Sequence, residues 1–242
     1  MLQQKGYQYR IYPTKQQQQL INQTLGCARF VYNRFLNIRK EAWTNSKTSV
    51  TYKQTSKMLT ELKCEPDYVW LKAVDSTSLQ QALKDLDKGF KNFFAKKAGY
   101  PRYKSKHNHY LSYRSQCVNN NIAITNGKLK LPKIGLVKIK LSRNFTGRIL
   151  NVTVSRKATG KYFVSLCVEE EVEIFPNNGG EIGIDVGIKD FYSDSNGDVA
   201  ANPKTLKKYS KKLAREQRKF SRKAKGSNNR NKQRIIVARI HE

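Results

Sequence analysis

The sequence predicts an α+β fold in which a β-barrel is interrupted by a helical block and followed by a smaller region of strands and basic helix. Three observations carry this. A strand-like segment at residues 7–12 stands apart from every other such segment. Strand-like segments then crowd together between residues 110 and 174. Finally, Pro176-Asn177-Asn178-Gly179-Gly180 reads as a linker, and a distinct segment of glycines and aspartate follows it.

Tyr7, Tyr9 and Ile11 alternate with polar neighbours, the period-two pattern of a half-buried strand. Pro13 ends it. Thr14 with Gln17 has the form of a capping box, and Leu20, Ile21, Leu25, Ala28, Val31, Phe35 and Ile38 follow at helical spacing, with Trp43 near the end. A second helix is expected from about Tyr52 to Leu62. After Pro66 a short apolar turn (Val69, Trp70, Leu71) leads to Ser76 or Ser78 as the N-cap of a third helix. That helix carries Leu79, Ala82, Leu83, Leu86, Phe90, Phe93 and Phe94 on its apolar face. Gln81, Lys84, Lys88 and Lys91 are expected on the opposite face.

After Gly99 the pattern changes. Segments 110–118, 121–125, 128–131, 136–141, 148–156 and 161–174 read as strands, and Asn126-Gly127 and Thr159-Gly160 are hairpin turn signals. The economical topology joins segment 7–12 to this later sheet. Residues 1–12 with 98–176 then form the barrel, residues 13–97 the inserted helical domain, and residues 181–242 a third region. In that last region a basic helix from about Lys204 carries a narrow apolar stripe of Leu206, Tyr209, Leu213 and Phe220. Gly226-Ser227-Asn228-Asn229 interrupts it, and residues 234–242 begin another amphipathic helix.

Charge decides the class of partner. Lys plus Arg number 47 against 18 acidic residues, a formal net charge of +29 over 242 residues. Such self-repulsion works against a compact state unless a polyanion neutralises it, and each neutralised phosphate of a nucleic acid releases a counterion. An anionic membrane would call for a hydrophobic span or a basic amphipathic anchor, and no run of the sequence approaches a spanning length. The N-terminal MLQQKGYQYR lacks the apolar core of a signal peptide, so a cytosolic, cytoplasmic location is expected. An aromatic content of 10%, mostly tyrosine, argues against a wholly disordered basic chain. Cys27, Cys64, Cys117 and Cys167 are scattered with no C-x-x-C pair, which gives neither a disulfide framework nor a zinc site. His107 and His109 form an H-x-H with no cysteine or carboxylate nearby to complete a ligand set, so a phosphate-facing or solvated loop is expected there.

One segment carries candidate chemistry. In Gly183-Ile184-Asp185-Val186-Gly187, an extended backbone puts Ile182, Ile184 and Val186 on one face as a core stripe and Gly183, Asp185 and Gly187 on the other. A carboxylate flanked by residues without side chains leaves room for a metal ion and a phosphate, the arrangement that two-metal phosphodiester hydrolysis requires. Ser195-Asn196-Gly197 then supplies a hairpin turn, as expected where a ribonuclease-H-like sheet begins its meander. Asp194 and Asp198 flank that turn and are expected to serve turn chemistry. Glu216, among basic residues on a helix, is expected in an ion pair. Glu169-Glu170-Glu171 is expected to pair with Lys or Arg at a strand edge. The residues after Asp185 are too few for the further strands and helix that would bring in other carboxylates, so a competent nuclease site is not expected from this sequence alone.

Two basic surfaces stand out. Residues 96–114 interleave cations with tyrosines, and Tyr100, Arg102, Tyr103, Lys104 and Lys106 are candidates to hold phosphates and stack on bases. The helix beginning near Lys204 is basic on nearly every face, with Lys208, Lys212, Arg215, Arg218, Lys219 and Arg222 placed to track a nucleic-acid backbone.

These residues together resemble TnpB, the RNA-guided nuclease family encoded by bacterial insertion sequences and historically described as a transposase. The resemblance rests on LGCARFVYNRFL, SLQQALKDLDKGFKNFF, AGYPRYKSK and GIDVGIKDFYSDSNGDV, which occur in family order along the whole chain. It implies a wedge-like β-barrel interrupted by a helical recognition lobe and followed by a RuvC nuclease domain, here its N-terminal part. It implies a guide RNA derived from the transposon end, and target double-stranded DNA beside a short motif read by barrel and lobe. The helix bearing Gln80, Gln81 and Lys84 is similar to the lobe helix that approaches that duplex. Asp185 matches the first catalytic RuvC acid, a Mg²⁺ ligand in a completed site. The family's second Glu, third Asp and four-Cys zinc insertion match nothing in this sequence.

Three readings follow. One is a guide-RNA and DNA binding protein of the TnpB type that does not cut. Another is the N-terminal portion of an active Mg²⁺-dependent RNA-guided endonuclease. The third is a general basic RNA-associated protein, which would bind unrelated RNAs equally well.

Overall fold

A computed structural model of the chain describes residues 1–106, 111–173 and 179–242. His107, His109, Tyr110 and the Pro176-Asn177-Asn178 part of the linker lie outside the described residues. The chain divides into two compact units, Leu2–Val172 and Glu173–Glu242.

In the first unit the lone N-terminal segment becomes the middle of a sheet. Strands β1 (Leu2–Tyr12), β2 (Leu111–Gln116), β3 (Ala123–Thr125), β4 (Lys128–Leu131), β5 (Gly135–Lys140), β6 (Arg148–Arg156) and β7 (Tyr162–Glu171) form a curled antiparallel half-barrel in the order β2-β6-β7-β1-β5-β4-β3. β1 pairs with β7 from Leu2 opposite Glu171 to Ile11 opposite Tyr162, and with β5 from Arg10 opposite Lys140 to Tyr12 opposite Lys138. It starts earlier than its alternation indicates, because Leu2-Gln3-Gln4-Lys5-Gly6 has no apolar period and is held by β7 alone. The hairpin turns sit where Asn126-Gly127 and Thr159-Gly160 place them; Gly127 and Gly160 both take left-handed backbone.

Alternation on β7 fixes which face is core. Tyr162, Val164, Leu166 and Val168 are buried against Tyr9, Ile11, Val152 and Val154, and the next position of that series is Glu170. The glutamate triplet is therefore not an edge feature, since β7 lies inside the sheet between β6 and β1. Glu169 pairs with Arg148 at 3.1 Å. Glu170 turns inward, where its carboxylate accepts from the Tyr7 hydroxyl at 2.8 Å and the Thr146 N–H at 3.1 Å, with the Lys5 ammonium 3.5 Å away. A buried carboxylate persists only when partnered in this way. The bond to Glu170, with burial adding to it, pushes the Tyr7 hydroxyl above its ordinary pKa.

The helical part of this unit packs on the sheet through β2. α1 (Lys15–Ser46) starts at Thr14 with the expected capping box, whose Gln17 also donates to the Leu136 carbonyl at 2.8 Å. α2 (Tyr52–Leu62) carries a second capping box, Thr51 with Gln54, and a 3₁₀ turn follows at Pro66–Ala73. α3 (Ser76–Phe94) is capped by Asp75, not by Ser76 or Ser78. The carboxylate wins because it accepts from several donors together. Its oxygens take the Thr77 and Ser78 N–H groups, both at 3.2 Å, the Thr77 hydroxyl at 2.6 Å and the Ser115 hydroxyl of β2 at 2.5 Å. One residue thus starts the helix and ties it to the sheet.

In the second unit, β8 (Ile184–Asp185), β9 (Asp190–Asp194) and β10 (Val199–Ala201) form an antiparallel sheet in the order β10-β9-β8. α4 (Thr205–Ser221) and α5 (Asn228–His241) pack together beyond it. Among the described residues no helix is long and apolar enough to cross a membrane.

Candidate nucleic-acid interface

The third helix separates its faces by the usual arithmetic of 3.6 residues per turn. Leu79, Ala82, Leu83 and Leu86 are buried, while Gln80, Lys84, Lys88 and Lys91 are exposed. Spaced at i, i+4, i+8 and i+11, these four form one outward stripe. Gln81 does not join it. Gln81 is only 4% exposed, because position 81 lies beside the buried residues Ser78 and Ala82 on the packed side of the helix, so the expected outward orientation is corrected. Lys91 ends the stripe in an ion pair with Asp87 at 3.1 Å, and the Arg39 guanidinium holds the other Asp87 oxygen at 3.1 Å. Burial would raise that carboxyl, but Arg39 and Lys91 outweigh it and hold Asp87 below its ordinary pKa.

The tyrosine-and-cation segment lies along α1, pinned by polar contacts. The Asn33 side chain accepts from the Lys104 N–H at 2.8 Å and donates to the Lys104 carbonyl at 2.9 Å. The Tyr103 hydroxyl donates to Asn37 at 2.9 Å. Pro101 is buried beneath, while Tyr100, Arg102, Tyr103, Lys104 and Lys106 are all exposed. Lys104 is exposed as a residue, but its ammonium rests 4.1 Å from the Tyr32 ring centroid, and this local loss of hydration, offset in part by Asp85, lowers its pKa. Sequence patterning located this segment but not its anchor, since Asn33 and Asn37 sit at ordinary polar helix positions.

In the second unit all the candidate cations of α4, namely Lys208, Lys212, Arg215, Arg218, Lys219 and Arg222, are exposed. Glu216 is the organising residue among them. It is buried between α4 and α5, accepting from Lys219 at 3.0 Å, Arg215 at 3.2 Å and the Gln233 amide of α5 at 2.7 Å. Arg230 of α5 also donates to the Phe220 and Lys223 carbonyls at 3.2 and 2.7 Å, closing the end of α4. Hydrogen bonds from Lys219 and Gln233 first, against a smaller effect of burial, pull the Glu216 carboxyl from its ordinary 4.5 to about 2. A depressed carboxylate pKa adds stability that is complete above the unfolded value and is lost as pH falls towards the folded one. The α4–α5 pairing is therefore expected to hold down to about pH 4.5 and to loosen between about 4.5 and about 2. Far-ultraviolet circular dichroism against pH checks this, with Glu216→Gln expected to remove that part of the transition and to weaken the pairing at neutral pH.

Asp185 sits on β8 opposite Ser193, with Ile184 opposite Asp194. β8 lies at the edge of its sheet, paired only with β9 among the described residues. The flanking glycines let the chain turn closely. The Gly183 N–H donates to the Ser195 hydroxyl at 3.1 Å, and a β-carbon at Gly187 would stand 3.2 Å from the Asp190 carbonyl. Asp194 performs the turn chemistry, accepting from the Asn196 and Asp198 N–H groups at 2.9 and 2.8 Å, while Gly197 takes left-handed backbone. The alternation of Ile182, Ile184 and Val186 does not produce a buried stripe: all three are exposed, and so are Ile188, at 91%, and Phe191. Among the described residues no group of three or more His, Cys, Asp or Glu side chains is placed to hold a metal ion. The candidate site brings Asp185 to an open sheet edge, and among the described residues no three-membered ligand group forms around it.

Comparison with known proteins gives matches at both ends of the chain. A family model described as a helix-turn-helix domain matches residues 1–48, which here form one strand and one uninterrupted helix. A second, described as "Probable transposase", matches residues 165–242. A protein of Streptomyces pristinaespiralis named "Putative RNA-guided DNA endonuclease" is 40% identical over 240 residues, covering 98% of this chain and 59% of that protein. InsQ of Escherichia coli (strain K12), which carries the same description, is 35% identical over 239 residues, covering 98% of this chain and 58% of its own length. This chain thus spans less than two thirds of the length of either relative. A solved Cas12f1–sgRNA–target DNA complex contains a chain with a TM-score of 0.48 at 10% identity, covering 98% of this chain and 75% of that one.

Proposed function

The chain belongs to the TnpB family of transposon-encoded proteins, and from that membership we propose that it binds a guide RNA together with the double-stranded DNA addressed by that RNA. The observation that carries the proposal is the set of exposed cations on fixed supports. Lys84, Lys88 and Lys91 form a helix stripe that Gln80 begins, Arg102, Lys104 and Lys106 lie on a pinned segment, and six more cations line α4. Backbone phosphates are the ligands such rows recognise. The exposed tyrosines of the pinned segment add ring faces on which bases can stack. Gln81 acts in this reading through the packing of α3, not by contact. The barrel, lobe and partial RuvC boundaries at 1–12 with 98–176, 13–97 and 181–242 belong to the same reading, as does a cytoplasmic location at the nucleoid.

The family's chemistry calls for a divalent metal, in this reading Mg²⁺. Asp185 supplies one oxygen ligand on an exposed strand edge, and one carboxylate does not fit a centre that clamps both the attacking and the leaving oxygen. The 242-residue polypeptide is therefore expected to bind without cutting. The shorter span of this chain relative to its relatives favours a second reading, in which these residues are the N-terminal part of a longer RNA-guided endonuclease.

A single assay separates the readings. Binding and cutting are measured together with RNA from the chain's own transposon end, a matching duplex and Mg²⁺. Retention of the duplex only in the presence of matching RNA, with no cut strand, is the expected result. Mg²⁺-dependent cutting lost in Asp185→Ala would select the endonuclease, and equal retention with unrelated RNA would reduce the protein to a general RNA binder.

A further inference from the structure

The helical part of the first unit contains a cavity of about 580 Å³ between the end of α1, the connection to α2, and the end of α3. That volume is in the range of small-ligand sites, about 300–1,000 Å³. Its walls are unusual for a surface so rich in lysine. Trp43, Phe94 and Tyr100 all line it and are all exposed, Phe94 at 73%. Tyr100 stands edge-on to Phe90 and Phe93, at interplanar angles of 89° and 83°. Phe94 lies near-parallel to Phe90 at 6.4 Å and the Lys47 ammonium stands 5.9 Å over the Trp43 ring, yet all three lining rings keep solvent-exposed surface.

The floor is charged. Arg39 lines the cavity and its side chain is only 7% exposed, yet its Nε–H is buried without a hydrogen-bond acceptor, its Nη2 being spent on Asp87. A buried donor left without an acceptor is costly, and this one lies in the wall behind the cavity, out of reach of solvent. Lys53 and Lys91 stand at the rim.

We propose that this cavity takes one unstacked nucleobase of a single-stranded polynucleotide, stacked against Trp43, Phe94 and Tyr100, with the adjoining phosphates met by Lys53 and Lys91. The inference rests on the nucleic-acid-binding reading above and deepens it by giving one base of the strand its own seat. Aromatic faces suit any base. The rim lysines supply the charge a phosphodiester needs on either side. A purely apolar occupant would satisfy the rings but make no use of the positive charge at the rim, at Lys53 and Lys91. RNA and single-stranded DNA share the required chemistry, and the experiment distinguishes them.

The test uses the full chain and short uridine oligomers carrying one central 2-aminopurine or an abasic site, with thymidine oligomers as the DNA arm. On binding, 2-aminopurine emission is expected to be quenched. Loss of the base is expected to weaken binding about 5–150-fold, the equivalent of about 1–3 kcal/mol for one stacked base. Because Phe94 is so exposed, Phe94→Ala leaves the fold intact and is expected to remove most of the difference between base-bearing and abasic oligomers. The strand that shows the difference, RNA or DNA, identifies the source. Equal affinity for base-bearing and abasic oligomers, while both still bind, would overturn the base site alone. A self-association abolished by Phe94→Ala, with oligomer affinity unchanged, would assign the cavity to a second copy of the chain and also overturn it. Failure of every oligomer to bind would instead remove the nucleic-acid reading on which it stands.

Discussion

Raising the salt from 50 to 200 mM is expected to weaken RNA binding by this chain about 10³–10⁵-fold. The magnitude follows from contact with roughly 6–10 phosphates, each of which releases condensed counterions when a lysine or arginine replaces them. The exposed cations are numerous enough. α4 offers Lys208, Lys212 and Arg218 with Arg222 at its end, none of them ion-paired to a carboxylate among the described residues, and α3 offers Lys84 and Lys88. Arg215, Lys219 and Lys91 count for less, because Glu216 and Asp87 already hold them. The dependence is read from the slope of log K against log salt. Each phosphate contact removed by a charge-neutral substitution, such as Lys208→Gln or Lys84→Gln, is expected to flatten it by about 0.7–0.9. A flat titration would mean that phosphates are not the ligand.

Gly147→Ala is expected to give the largest loss of stability from a single methyl group in the first unit. Gly147 has φ +120, a backbone that side chains rarely adopt, and a β-carbon there would stand 2.3 Å from the Glu169 carbonyl oxygen and 3.0 Å from the Glu170 side chain. Backbone strain of this kind costs about 1–3 kcal/mol, and forcing β6 away from β7 adds an overpacking cost of about 1–3 kcal/mol. The displaced strand would also pull Glu170 from the Thr146 N–H and the Tyr7 hydroxyl. Denaturant unfolding followed by tyrosine absorbance measures the change, expected at about 2–6 kcal/mol from those two costs. An unchanged midpoint would show that β6 and β7 do not approach as closely as described.

Much of this architecture was legible because it rests on short-range rules. The capping box at Thr14, the Asn126-Gly127 turn and the alternation of β7 each follow from a few neighbouring residues. The union of β1 with strands more than a hundred residues later was inferred from its isolation. What escaped was decided by tertiary competition. Asp75 outbid Ser76 and Ser78 for the helix cap because Ser115 on a distant strand donates to it. Gln81 went inside because a helix has no sharp boundary between faces, and glutamine is polar enough to look exposed. Glu170 went inside because Tyr7 and Thr146 were waiting there.

The candidate site was legible unevenly. Asp185, its glycines and the Asp194 turn could be read from local pattern, and the segment around Tyr103 from its composition. The aromatic cavity could not. Trp43, Phe94 and Tyr100 belong to three different segments, and in sequence Phe94 continues an apolar helix face that ought to be buried. The stripe of Ile182, Ile184 and Val186 errs in the other direction: its alternation is that of a core strand, yet the described residues leave it exposed.

Whether a polyanion is the natural complement of this chain is tested most directly by purifying it from its expression host at near-physiological salt and weighing the nucleic acid that stays with it. Ribonuclease-sensitive material in roughly stoichiometric amount, released by a high-salt wash, is the expected result. A chain that emerges soluble, folded and free of RNA under those conditions would contradict the account.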